Sequence, residues 1–221
     1  YLQNEEIKKG AGEFRRSTFD KKLLAQSQYS QELEKEADRL GLQRFLKTGY
    51  STESLLNVFE VMRYAHLPFD DIAFEKDFFN KEYYKINDSY FLNRVRPVEA
   101  NESDPTAKAT HPSPTDRQQI MSRVLAQPSN VTGKNYRVSE QDFNRLRDVC
   151  RFELSNLYLK ENRPVLSIYN SFLLSKSYPD NTYLNKTIAS ALYTLSKFKT
   201  GGNFGQVHPG FSHIEGESQQ V

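Results

Sequence analysis

Helical periodicity dominates this chain and constrains its fold more than any other feature of the sequence. Between Ser27 and Thr48, Tyr29, Leu33, Ala37 and Leu40 recur at three- and four-residue spacing, which predicts an amphipathic helix with one apolar face. Gly49 is placed to stop it. A second helix is expected to open at Ser51 as N-cap, with Leu55, Val58, Phe59 and Met62 at the i, i+3, i+4 and i+7 positions of a buried stripe. Leu67-Pro68-Phe69 closes this antiparallel pair, because proline disfavours helix in the residue before it.

The middle of the chain is less regular. Residues 69–98 carry Phe74, Phe78, Phe79, Tyr83, Tyr84, Tyr90 and Phe91 among charged side chains, and read as a helical insertion followed by an extended stretch near Tyr90–Val98. Residues 99–110 have little to bury and read as a mobile loop. The next helix start is legible: Ser113 as N-cap, Pro114 at the first helical position where its missing N–H is harmless, and Asp116 in the first turn. Ile120, Met121, Val124 and Leu125 give that helix an apolar face, Pro128-Ser129-Asn130 ends it, and a linker runs to Val138.

From Ser139 three more helices are expected, at about 139–160, 162–176 and 180–198, separated by Glu161-Asn162-Arg163-Pro164 and Tyr178-Pro179-Asp180-Asn181. The latter turn, with Leu184, Ala189, Ala191, Leu192 and Tyr193 after it, resembles a tetratricopeptide repeat. Such helix-turn-helix units of about 34 residues bury their faces against neighbouring repeats. The expected division is residues 1–128 as one domain and 139–221 as a tetratricopeptide-like helical region.

Composition narrows the function classes. With 221 residues and 37% hydrophobic content, the chain can bury the core of one ordinary domain and a smaller appendage. Its 30 Lys and Arg balance 28 Asp and Glu and are interspersed with them, which excludes a nucleic-acid surface built on clustered cations. The single cysteine, Cys150, cannot form an intramolecular disulfide and is expected to pack among Leu146, Val149 and Phe152. No run approaches the roughly 18 apolar residues of a membrane helix. Both ends, Tyr1-Leu2-Gln3-Asn4 and Ser218-Gln219-Gln220-Val221, read as the interior of a longer sequence, so membrane attachment is expected only through segments outside this chain.

The most informative stretch is Gln31-Glu32-Leu33-Glu34-Lys35-Glu36-Ala37-Asp38-Arg39-Leu40-Gly41. Taken alone, it reads as a solvated helix face carrying charges at i,i+4 spacing. At about 100° per residue, however, Glu34 and Asp38 fall in one row with Gly41 and Phe45. Lys35, Arg39, Glu32 and Gln43 point elsewhere. Two carboxylates one turn apart, on a flank where another helix would pack, need partners, and a metal ion or a metal-bound histidine would serve.

Glu34-x-x-x-Asp38, set in Ser30-x-x-x-Glu34-x-Glu36-Ala37-Asp38-x-x-Gly41, resembles the second motif of the CAAX prenyl protease and HtpX family of zinc endopeptidases. Lys47-Thr48-Gly49-Tyr50-Ser51-Thr52-Glu53, followed by Phe59-Glu60-Val61-Met62, is similar to that family's glycine-tyrosine turn and next helix. Thr110-His111-Pro112-Ser113-Pro114-Thr115-Asp116-Arg117 resembles its His-Pro-x-x-x-x-Arg motif. The resemblance implies a partial zincin-type metalloprotease domain ahead of the repeat-like helices, Glu34 as a zinc ligand, and Asp38 as the group that steadies the histidine-bearing helix. It places His111 beside the active site, either as a surface loop histidine or as a contact to zinc or substrate. Arg117 is expected to tie its helix to its neighbours. His66, His208 and His213 fit no ligand spacing.

This sequence departs from the family in having no H-E-x-x-H. That motif supplies two histidine ligands and the general-base glutamate, so the whole enzyme would hold zinc while this chain is expected to hold none and to be inactive by itself. The implied activity is endoproteolysis of envelope or misfolded proteins in a bacterial periplasm or at its membranes, with protein and peptide substrates and with protein partners on the helical repeats. The alternative is a non-catalytic scaffold derived from the protease fold.

Overall fold

The computed structural model describes residues 2–52, 55–67, 69–102, 111–125, 133–208, 210 and 214–221; the side chains of residues 2–20, Leu23 and Ser27 lie outside that description. Pro68, Thr110, His213, most of the loop at 99–110 and the helix stop at Pro128-Ser129-Asn130 also lie outside it. The fold is mainly α, with six α-helices and no strand among the described residues. It divides into two compact units, residues 1–66 with 100–137, and residues 67–99 with 138–221. In this division residues 67–99 group with the C-terminal helices.

In the first unit, α1 (Leu2–Phe45) starts well before the expected Ser27. Its last turn tightens through Lys47 N–H to Arg44 O and Thr48 N–H to Phe45 O, at 3.0 and 2.9 Å, and reverses at Gly49, whose φ of 75° suits glycine. Ser51 does not cap a helix. Its N–H donates to Lys134 O at 3.0 Å, and Lys134 N–H donates to Gly49 O at 3.0 Å, so Tyr50 pairs with Lys134 in an isolated parallel bridge. Gly133 permits that approach, since a Cβ there would lie 2.5 Å from the Tyr50 carbonyl carbon. α2 (Asn57–Arg63) consequently starts later than expected, without a side-chain cap at Leu56.

α3 (Pro114–Leu125) begins as the sequence predicts. Ser113 Oγ accepts from Asp116 N–H at 3.0 Å and donates to Asp116 Oδ2 at 2.9 Å. Leu42, Phe59 and Met121 form the core of this unit, with Leu55, Leu56 and Leu125 against them. The apolar stripe expected to be buried is instead exposed: Tyr29 is 68% accessible, Leu33 53% and Leu40 41%. α1 turns its Glu34, Asp38 and Leu42 side toward α3, because that side carries the partners of Arg117 and Met121.

In the second unit, α4 (Glu140–Lys160), α5 (Pro164–Ser175) and α6 (Thr182–Thr200) pack in sequence order, close to their expected bounds. Ser139 caps α4 by accepting from Asp142 N–H at 3.0 Å, and Asn181 caps α6 by accepting from Tyr183 and Leu184 N–H. Asn162, at φ 56°, turns the chain out of α4. α5 is buried on nearly every side from Pro164 to Leu174. Its small polar residues let α4 approach: Ser167 Oγ donates to Ser155 O at 2.7 Å, and Asn170 Nδ2 to Arg151 O at 2.8 Å. Cys150 is exposed beside Leu146 and Val149, at 64% and 53% accessible, so it does not pack as expected.

Residues 69–98 are not helical; a single 3-10 turn at Asp88–Tyr90 and a bridge between Lys81 and Tyr84 punctuate an irregular chain. Their aromatic rings enter the core of α5. Phe74 and Phe78 lie 4.7 and 5.0 Å from Phe172, and Phe69 lies 5.2 Å from Tyr169. The phenol of Tyr169 accepts from Ile72 N–H at 2.8 Å and donates to Ile72 O at 2.6 Å, and burial pushes its pKa well up, so it stays a neutral donor.

Residues 214–221 satisfy further backbone groups of this segment. Gln220 Oε1 accepts from Leu92 N–H at 2.9 Å while its Nε2 donates to Leu92 O at 3.1 Å; Gln219 Oε1 accepts from Arg96 N–H at 2.6 Å, and Glu217 Oε2 from Phe74 N–H at 3.0 Å. Backbone groups paired in this way do not need a helix. Gly216 sits at the tightest point, with φ 68° and room for a Cβ only 2.3 Å from Asp71 Oδ1. Gly216→Ala is expected to destabilise this unit by about 1–3 kcal/mol in urea unfolding, through strain and displacement of Asp71. A loss below about 0.5 kcal/mol would mean that the segment is held elsewhere.

Candidate functional site

The first unit brings Glu34, Asp38, His111 and Arg117 together. Glu34 and Asp38 project from α1 one turn apart, while His111 precedes α3 and Arg117 lies in its first turns. His111 Nδ1 is 3.2 Å from Glu34 Oε1, with Nδ1–H as donor because a carboxylate only accepts. The Glu34 side chain is 32% accessible and His111 64%, so the pair lies at the rim of the unit, partly shielded on the carboxylate side.

Asp38 is more enclosed, at 16% side-chain accessibility, and both its oxygens are taken by Arg117. Nε donates to Oδ2 at 2.7 Å and Nη2 to Oδ1 at 2.6 Å. This two-pronged geometry suits the planar guanidinium. The hydrogen bond to Asp38 raises the Arg117 pKa first, with weaker help from the Asp38 and Glu34 charges. Arg117 Nη2 also lies 3.8 Å from Glu34 Oε2, and its guanidinium sits 5.8 Å from the Phe59 ring centre. Arg117 thus clamps Asp38 and places its positive charge near Glu34. The sequence places Asp38 near a histidine-bearing helix; within this chain its partner is Arg117, 79 residues away.

A shallow groove of about 290 Å³ runs between α1 and α3, lined by Gln31, Lys35, Pro112, Asp116 and Arg123 among others. Gly41, expected to admit a neighbouring helix, has open space around its Cβ position. Of the other histidines, His208 stacks on Phe204 at 5.1 Å and its Nδ1 accepts from Gly210 N–H at 3.2 Å, a local structural role.

Carboxylate and imidazole are the donor types of zinc proteases, but Glu34 and His111 are two donors where a catalytic site uses three. Among the described residues no group of three His, Cys, Asp or Glu side chains is placed to hold a metal ion. Among the described residues the donor set is therefore Glu34 and His111, and no catalytic step is derived from these two. No described helix is long and apolar enough to cross a membrane. Comparison with family models, curated proteins and solved structures gives no match to this chain.

Proposed function

We propose that this chain is the C-terminal part of a zinc metalloendopeptidase, in which Glu34 is the metal ligand contributed from α1 and two further ligands come from an H-E-x-x-H helix outside it. The observation that carries the reading is the half-buried Glu34 carboxylate, held 3.2 Å from His111 and one turn from the Asp38–Arg117 pair. A helix-borne carboxylate serves best as a ligand when its rotamer is restrained, and the hydrogen bond to His111 with the Arg117 charge 3.8 Å away supports that for Glu34. The exposed stripe of Tyr29, Leu33 and Leu40 on α1 offers a face for the missing helix. When bound, zinc would polarise a peptide carbonyl and acidify a water molecule. His111, beside Glu34, contacts either the metal or the substrate.

In this reading the substrates are envelope or misfolded proteins, the setting is the bacterial cell envelope, and the C-terminal unit is a tetratricopeptide-like attachment. The coding sequence upstream of Tyr1 tests it: an H-E-x-x-H within a few dozen residues is expected. Zinc titration of the 221-residue chain should reveal no tight site that Glu34→Gln removes. The alternative reading, a non-catalytic scaffold, draws on the exposed apolar residues of α4, Phe143, Leu146, Val149 and Leu157, and gains if no such motif lies upstream.

A further inference from the structure

We propose that the chain self-associates through α4, which lies antiparallel against α4 of a second copy about a two-fold axis level with Arg151. Asp142, Leu146, Val149, Glu153, Leu157 and Lys160 recur along this helix at three- and four-residue spacing. At about 100° per residue the six lie within about 80° of one another and form one straight row. The row faces away from the packed side of α4, where Ser155 and Tyr158 are buried. Leu146, Val149 and Leu157 are about half exposed or more, and Asp142, Glu153 and Lys160 are exposed with them.

The charges in the row define its occupant. Asp142 stands at one end, with Oδ2 accepting from Ser139 Oγ at 2.6 Å, and Lys160 stands about five turns on at the other. Glu153 and Lys160 form no ion pair among the described residues. Antiparallel pairing of two such rows sets Asp142 against the partner's Lys160 at both ends and Leu146 against the partner's Leu157. Glu153 then lies over the partner's Val149, with its carboxylate one turn from the partner's Arg145. Parallel pairing would instead stack Asp142, Glu153 and Lys160 each on its own copy, like charge on like. The row is thus complementary to itself in one direction, which is what an isologous two-fold interface requires. Exposed Cys150 borders the row one residue from the axis, so its two copies approach each other across the interface. One helix pair sits at the small end of specific interfaces, below about 1,200 Å², and a dissociation constant on the order of 10 µM follows. This inference is independent of the protease reading, and its failure would leave that reading untouched.

The test is sedimentation velocity of the 221-residue chain over a concentration series bracketing about 10 µM, which should show monomer passing to dimer. A short bis-maleimide should join two chains through Cys150, the one cysteine of the sequence. Leu146→Asp should abolish both while leaving the helical circular dichroism unchanged, because that side chain is exposed. Asp142→Lys and Lys160→Glu should each weaken dimerisation about tenfold, and together they should restore it. Each charge reversal also opposes the helix dipole, but that cost adds in the double variant, so recovery reports pairing between copies. A chain that stays monomeric throughout the series, a dimer without the Cys150 cross-link or indifferent to Leu146→Asp, or a double charge variant no tighter than the single ones would overturn the proposal.

Discussion

Phe172→Ala is expected to lower the unfolding free energy of the C-terminal unit by about 3–5 kcal/mol, the largest effect of any single truncation in this chain. The ring is fully buried and lies 4.7 Å from Phe74, 5.0 Å from Phe78 and 6.0 Å from Tyr169, with Lys176 over its face. Truncation leaves a cavity that rigid neighbouring rings cannot close, so the cavity cost adds to the lost burial. The consequence should spread beyond α5. Phe74 and Phe78 anchor residues 69–98, whose Phe74, Leu92 and Arg96 amides are held by Glu217, Gln220 and Gln219. Hydrogen exchange at those three amides should accelerate together. Tyr193→Ala, at a side chain 70% exposed, should stay within about 0.5 kcal/mol in the same urea titration. A Phe172→Ala loss below about 1 kcal/mol would contradict this packing.

Arg117→Ala should destabilise the first unit by about 3 kcal/mol. Both Arg117 and Asp38 side chains are only 16% accessible, and removing the guanidinium strands the Asp38 carboxylate with its bidentate partner gone. The comparison that isolates the interaction is a double-mutant cycle with Asp38→Asn and Arg117→Gln, for which a coupling of about 1–3 kcal/mol is expected. The exposed pair Glu36–Arg39 provides the contrast: Arg39→Ala should leave the unfolding midpoint unmoved, since each side chain is half accessible and screened by water. Equal effects at both arginines would remove the case for Arg117 as the residue that fixes the site.

Legibility in the sequence followed locality. Ser113 with Pro114 marks a helix start because a cap acts over three residues, and that helix begins where the sequence places it; Ser139 and Asn181 cap α4 and α6 through the same local chemistry. Ser51 misleads because the helix after it starts only at Asn57, while its backbone N–H pairs with Lys134, 83 residues on, which no short window contains. Residues 69–98 fail most completely, since their conformation is set by Tyr169 and by side chains at 215–220 that substitute for a helix or a strand neighbour.

At the candidate site, helical spacing alone places Glu34 and Asp38 one turn apart, and the His111-Pro112 sequence marks the approach to α3. The choice of buried face on α1 was not legible. Periodicity favours Tyr29, Leu33 and Leu40, yet the first unit buries Leu42 and the carboxylate row, because Arg117 and Met121 of α3 complement that row in charge and shape.

Zinc stoichiometry and endopeptidase activity of the full-length protein, beside its Glu34→Gln variant, test most directly whether Glu34 is a metal ligand parted from its partners. One zinc per chain with casein-hydrolysing activity is expected, and the variant should lose the metal and at least about a hundredfold in rate. A protein that holds no zinc, or that keeps both zinc and activity without the Glu34 carboxylate, would contradict the assignment.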